Sequence, residues 1–178
     1  VMVVLAVFLF SAYSIRLQAQ TLTIVSSGET GTSGTNWSTS GTNPVTISAS
    51  GDANINTSVV VDYLNAGISV ILVAPADIRL SNAISKTAGT ASLTFQAGRD
   101  IFIQAGISSA GSSLPLTFNA DSNDDNLGAI AVTYNLNTNG GAVTFEDDIT
   151  FNGVAAQAIN SDAAAIAFNG EVMLSNTS

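Results

Sequence analysis

Seven times in 178 residues the chain returns to one phrase: "TLTIVS" at 21, "PVTISA" at 44, "SVILVA" at 69, "SLTFQA" at 92, "PLTFNA" at 115, "AVTFED" at 142 and "AIAFNG" at 165. The successive offsets are 23, 25, 23, 23, 27 and 23 residues. The recurrence runs beyond the phrase. "SVILVAPADIRLSNAIS" (69–85) and "SLTFQAGRDIFIQAGIS" (92–108) agree at Ser, Ala, Asp, Ile, Ile and Ser and exchange one apolar residue for another at Val70 and Leu93, Leu72 and Phe95, and Leu80 and Ile103. A period of this size is the signature of a solenoid, in which each repeat buries its apolar face only against its neighbours.

Within each phrase the second and fourth residues are apolar, as in Leu22 and Ile24, Val70 and Leu72, Leu93 and Phe95, Leu116 and Phe118. Spacing of two puts them on one face of a strand. A second alternating pair follows in the unit: Ile78 and Leu80, Ile101 and Ile103, Ile130 and Val132, Ile149 and Phe151, Val172 and Leu174. Val59, Ile84, Ile107 and Leu136 suggest a third inward segment. Three inward segments joined by corners of Gly, Asn, Ser and Pro predict an all-β parallel β-helix of seven coils, with like residues stacked about 4.8 Å apart. A leucine-rich repeat is the runner-up, but its Leu and Asn signature and helical half are missing.

Composition narrows the functions open to such a rod. The chain is 46% hydrophobic and only 10% charged, where about a quarter is typical. Thirteen acids against four bases give a net charge of -9, which repels a nucleic-acid backbone and excludes DNA and RNA as partners. There is no Cys and no His, so thiol chemistry, disulfides and the usual proton shuttle are missing.

The opening "VMVVLAVFLFSAYSIRLQAQ" reads as a secretory signal cut after Ala19, leaving 20–178 as the β-helix. Its run of apolar residues falls short of the roughly 20 needed to span a bilayer. The later stretch "VVVDYLNAGISVILVAP" contains Asp62 and Asn65 and is no span either. Trp37, in the first and least apolar coil, is expected as an aromatic lid over the end of the core. The last coil breaks off after "EVMLSNTS", before its third segment, and the chain is read as part of a longer array.

The acids fall into a pattern. Glu29, Asp52, Asp77 and Asp100 lie eight places after their phrase starts, and Asp148 and Glu171 align with them through the second strand, with Ala129 interrupting. Carboxylates stacked in this way repel one another. Hydrogen bonds from backbone N–H groups at the corner are expected to offset the repulsion, with calcium bridging as the alternative.

In "DSNDDN", which lengthens the 27-residue coil, Asp121, Asn123 and Asp125 have the one, three, five spacing of a calcium loop. The Gly at the sixth place and the Glu at the twelfth are missing, so a solvated loop is expected and calcium is the alternative; no other cofactor is expected. The 25-residue coil is expected to bulge around Asp62 to Asn65, and Asp62, Tyr63 and Asp124 are the candidate contact residues, because loops leaving a solenoid are where recognition is usually placed.

A catalytic reading finds little support. Glycoside hydrolysis needs two carboxyls facing one sugar bond, whereas Asp124 with Asp125 and Asp147 with Asp148 are sequence neighbours that a strand points to opposite faces. Arg79, Lys86 and Arg99 are too scattered for a lyase site, and no His activates a Ser.

The run "LNAGISVILVAPADIRLSNAISKTAGTASLTFQAGRDIFIQAGISSAGSSLPLTFNADSNDDNLGAIAV", followed by "LNTNGGAVTF", resembles the repeat region of bacterial filamentous-haemagglutinin-like surface proteins over approximately residues 44 to 154. The resemblance implies a right-handed parallel β-helix, export across the outer membrane, a secreted or bacterial cell-surface location and a role in adhesion. The expected partners are a glycan or protein receptor on a cell or surface, and further coils of the same parent chain. A carbohydrate-binding or carbohydrate-cleaving β-helix is the alternative.

Overall fold

Alternation decides the backbone. In circuits two to four, where the sequence places apolar residues two apart, the chain is a short strand with those residues buried and their neighbours turned outward. The computed structural model describes residues 20–124, 127–153 and 155–175. The expected leader, residues 1–19, lies outside them.

Three strands precede the first circuit: β1 (Leu22–Val25), β2 (Ser33–Gly34) and β3 (Trp37–Ser40). Circuit one is β4 (Val45–Ala49), β5 (Ala53–Asn56) and the helix α1 (Thr57–Asn65). Circuit two is β6 (Val70–Ala74), β7 (Ile78–Leu80) and β8 (Ile84–Lys86), and circuit three is β9 (Leu93–Ala97), β10 (Ile101–Ile103) and β11 (Ile107–Ser109). Circuit four is β12 (Leu116–Asn119), β13 (Ile130–Val132) and β14 (Leu136–Asn137). Circuit five is β15 (Val143–Phe145), β16 (Ile149–Phe151) and β17 (Ile159–Asn160), and the last is β18 (Ile166–Phe168) and β19 (Val172–Leu174).

Like strands of successive circuits pair in parallel, building three sheets around one core. Leu93 lies beside Leu116 and Phe95 beside Phe118, while Ile101 lies between Ile78 and Ile130. The fold is therefore a parallel β-helix of about six turns. Phe95, Phe118, Phe145 and Phe168 stack with ring centroids 5.0, 5.1 and 5.2 Å apart and nearly parallel planes. Inward side chains thus repeat the strand spacing: Phe118 and Phe145 each lie between two rings, and Phe95 lies between Phe118 and Leu72.

Two expectations fail at the first end. The phrase at 21 is not a seventh coil: β1 inserts into the second sheet, between β5 and β7, pairing Leu22 with both Ala53 and Ile78. Leu22 and Ile24 alternate as every inward strand does, and alternation specifies a buried face without specifying which sheet supplies it. The place beyond β4 is taken instead by the antiparallel β2–β3 hairpin, which caps the phrase sheet and buries Trp37, as expected of a lid.

The second failure is Val59. It is buried, but in a helix rather than a third strand. The Asn56 side chain caps α1 by accepting a hydrogen bond from Ser58 N at 2.9 Å, and Thr57, Val60 and Leu64 recur at helical spacing on the buried side. The bulge expected around Asp62 to Asn65 is this helix. Asn65 Oδ1 then accepts from Thr87 N and Ala88 N, tying α1 to the corner after β8.

At the other end the last circuit presents Ile166, Phe168, Val172 and Leu174 as exposed apolar residues. No helix among the described residues is long and apolar enough to cross a membrane.

Candidate functional site

Four corner carboxylates, those of Asp52, Asp77, Asp100 and Asp148, are spent on the fold. In register along the second sheet the row reads Asp52, Thr21, Asp77, Asp100, Ala129, Asp148 and Glu171. Asp52 Oδ1 accepts from Thr21 N at 3.0 Å, Asp100 Oδ1 from Ala129 N at 3.1 Å and Asp148 Oδ1 from Glu171 N at 2.8 Å. Each of these three carboxylates thus takes the corner amide of the adjacent strand, as expected from the need to offset repulsion, whereas the Glu171 carboxylate, at the corner before the last strand of the sheet, takes none among the described residues.

Asp77 is the exception. It is buried, and Arg99 and Arg79 reach it at 2.9 and 3.3 Å. Arg79 also lies 3.9 Å over the Phe102 ring, so these basic residues, which looked scattered in sequence, form one structural cluster. Asp147 Oδ2 accepts from Ala120 N at 2.6 Å, so the adjacent carboxylates of Asp147 and Asp148 serve different circuits.

Glu29 does not belong to this row, because β1 does not occupy a phrase coil. Its carboxylate accepts from Thr35 N at 2.6 Å and from Trp37 Nε1 at 2.7 Å. The bonds with Thr35 and then Trp37 hold its pKa below the ordinary 4.5. Glu29 therefore closes the loop 30–34 and fixes the lid in one step.

That loop forms a wall of a crevice. Thr30, Gly31 and Thr32 face the flank of α1 that carries Ser58, Asp62 and Tyr63, enclosing about 420 Å³. Gly31 has φ +102°, a left-handed conformation that only glycine adopts readily. Ser58 and Asp62 are one helical turn apart, as are Val59 and Tyr63, so both pairs point the same way. Val59, Tyr63 and Ile68 supply apolar surface; Tyr63 and Ile68 also pack against the core. Both ion pairs among the described residues belong to Asp77, so Asp62 keeps an exposed, unneutralised carboxylate.

Asp62 and Tyr63, expected as contact residues, thus share one site. Asp124 lies three circuits away, after β12, with φ +58° in the turn closed by Asp124 N to Asp121 O at 2.9 Å. Of the expected calcium loop, Asp125 lies outside the described residues. Among the described residues, no group of three or more His, Cys, Asp or Glu side chains gathers closely enough to hold a metal ion.

Sequence reading also missed an inward polar ladder. Lys86, Ser109 and Thr138 lie in one column two residues after the buried Ile84, Ile107 and Leu136, and Ser161 follows Ile159 likewise. The Ser109, Thr138 and Ser161 hydroxyls each donate to the carbonyl three residues on, closing the corner that leads to the next phrase. Lys86 Nζ donates to Ser112 Oγ, Ser112 O and Ser113 O at 2.6, 3.0 and 3.2 Å. Burial lowers its pKa. The recurrence of Lys, Ser, Thr and Ser at one offset was the available signal.

Comparison of the chain with family models, with curated proteins and with solved structures returns no match.

Proposed function

We propose that the chain is a noncatalytic segment of a secreted or bacterial cell-surface adhesin of the filamentous-haemagglutinin-like kind. Its β-helix serves as a rod presenting side features for attachment to a glycan or protein receptor. One observation carries this reading: the Asp52, Asp77, Asp100 and Asp148 carboxylates bind backbone amides or arginines of the rod, while the crevice beside α1 leaves a carboxylate, hydroxyls and an aromatic side chain for a partner. The apolar end face of Ile166, Phe168, Val172 and Leu174 is the surface this reading assigns to further circuits of the parent chain.

The test is attachment. Beads coated with the protein are expected to adhere to cells or glycan-coated surfaces above beads coated with an inert protein. Adhesion equal to that control contradicts the proposal. Release of reducing ends or unsaturated products from neutral or acidic polysaccharides would instead favour a carbohydrate-cleaving β-helix.

A further inference from the structure

The crevice beside α1 brings a carboxylate, hydroxyls and an aromatic side chain together. Its polar groups are hydroxyls and one carboxylate, set beside the half-buried Tyr63 side chain and the apolar surface of Ile68. A volume of about 420 Å³ falls within the range of small-molecule sites, roughly 300 to 1,000 Å³. We infer that this crevice is a binding site for a neutral sugar unit, whose C–H face packs on Tyr63 and whose hydroxyls donate to Asp62 and exchange hydrogen bonds with Ser58, Thr30 and Thr32.

The reasoning is one of matching groups. A sugar presents an apolar face and a rim of hydroxyls, and an aromatic side chain beside a charged acceptor answers both. A sulfated or carboxylated glycan would bring its charge against Asp62 in a chain of net charge -9, at an electrostatic cost. A purely apolar ligand would leave Asp62 and the threonines without partners. The site is also held in shape before any ligand arrives. Glu29 fastens the Thr30–Thr32 wall, and Thr39 N donates to Thr32 O at 2.8 Å, while Asn56 and Asn65 fasten the two ends of α1. Little ordering is left for the ligand to impose.

This inference rests on the attachment reading and names the receptor chemistry. Its test uses the whole protein titrated with galactose, mannose, N-acetylglucosamine and their short oligomers, with heparin and alginate as acidic probes, followed by NMR. Binding of at least one neutral sugar is expected to shift resonances of Tyr63 and of residues 30–32. Tyr63→Ala and Asp62→Asn are each expected to weaken it tenfold or more with the circular dichroism unchanged, while Tyr63→Phe retains it.

Absence of neutral-sugar binding, preference for the acidic probes, or binding unaffected by both weakening variants overturns the inference. Bead attachment that persists in Tyr63→Ala also overturns it and leaves the attachment reading standing. Beads that never adhere, with sugar binding intact, defeat the attachment reading alone.

Discussion

Glu29 and Lys86 each hold a junction through hydrogen bonds of the side chain. Glu29 bonds to Thr35 and Trp37 more strongly as a carboxylate than as the neutral acid, so this extra contribution is complete above pH 4.5, the ordinary value, and is lost as pH falls through its lower folded value. Trp37 emission is therefore expected to titrate with a midpoint below 4.5. In Glu29→Gln, where the side-chain oxygen still accepts without titrating, that step should vanish. Lys86 is 1% exposed and donates only to neutral oxygens, so its charge is buried without a counter-charge. Lys86→Ala is expected to cost about 2 to 5 kcal/mol, as large-to-small core changes do. Lys86→Met fills most of the space without the ammonium and is expected to cost less than half as much, read from urea midpoints.

At the scale of elements, what was legible was what burial and alternation jointly determine. Leu93 with Phe95 and Ile101 with Ile103 announce strands because a period of two leaves one buried face. The helix was hidden. "TSVVVDYLN" contains three consecutive β-branched valines, and α1 is decided instead by its Asn56 cap and by packing of Thr57, Val60 and Leu64. Asn56 also donates to Ser26 O at 2.7 Å, joining the helix start to the chain after β1. Asn56→Ala is expected to cost about 1 to 2 kcal/mol, with hydrogen exchange accelerated first in α1. The site was half legible for related reasons. Asp62 and Tyr63 stood out as a departure from the 23-residue period, whereas Thr30 and Thr32 reach them only because β1 inserts beside β5, a tertiary pairing that no local pattern encodes.

The whole molecule is a column whose stability comes from neighbouring circuits, so the same substitution should matter differently along it. Phe118 is fully buried between two stacked rings, whereas Phe168, at the last circuit, is 40% exposed. Phe118→Ala is expected to cost about 3 to 5 kcal/mol and Phe168→Ala under about 1.5 kcal/mol, compared by urea denaturation. The column itself is tested most directly by cross-linking, for which a chain without cysteine is suited. Thr94, Thr117 and Thr144 are outward neighbours in successive circuits, about 4.8 Å apart at each step and so within disulfide reach, whereas two steps exceed the roughly 7 Å limit. Thr94→Cys with Thr117→Cys, and Thr117→Cys with Thr144→Cys, should each oxidise to an intramolecular disulfide, while Thr94→Cys with Thr144→Cys should stay reduced. A disulfide from the third pair, or none from the first two, would contradict the stacking on which the rod, its cap and its crevice all depend.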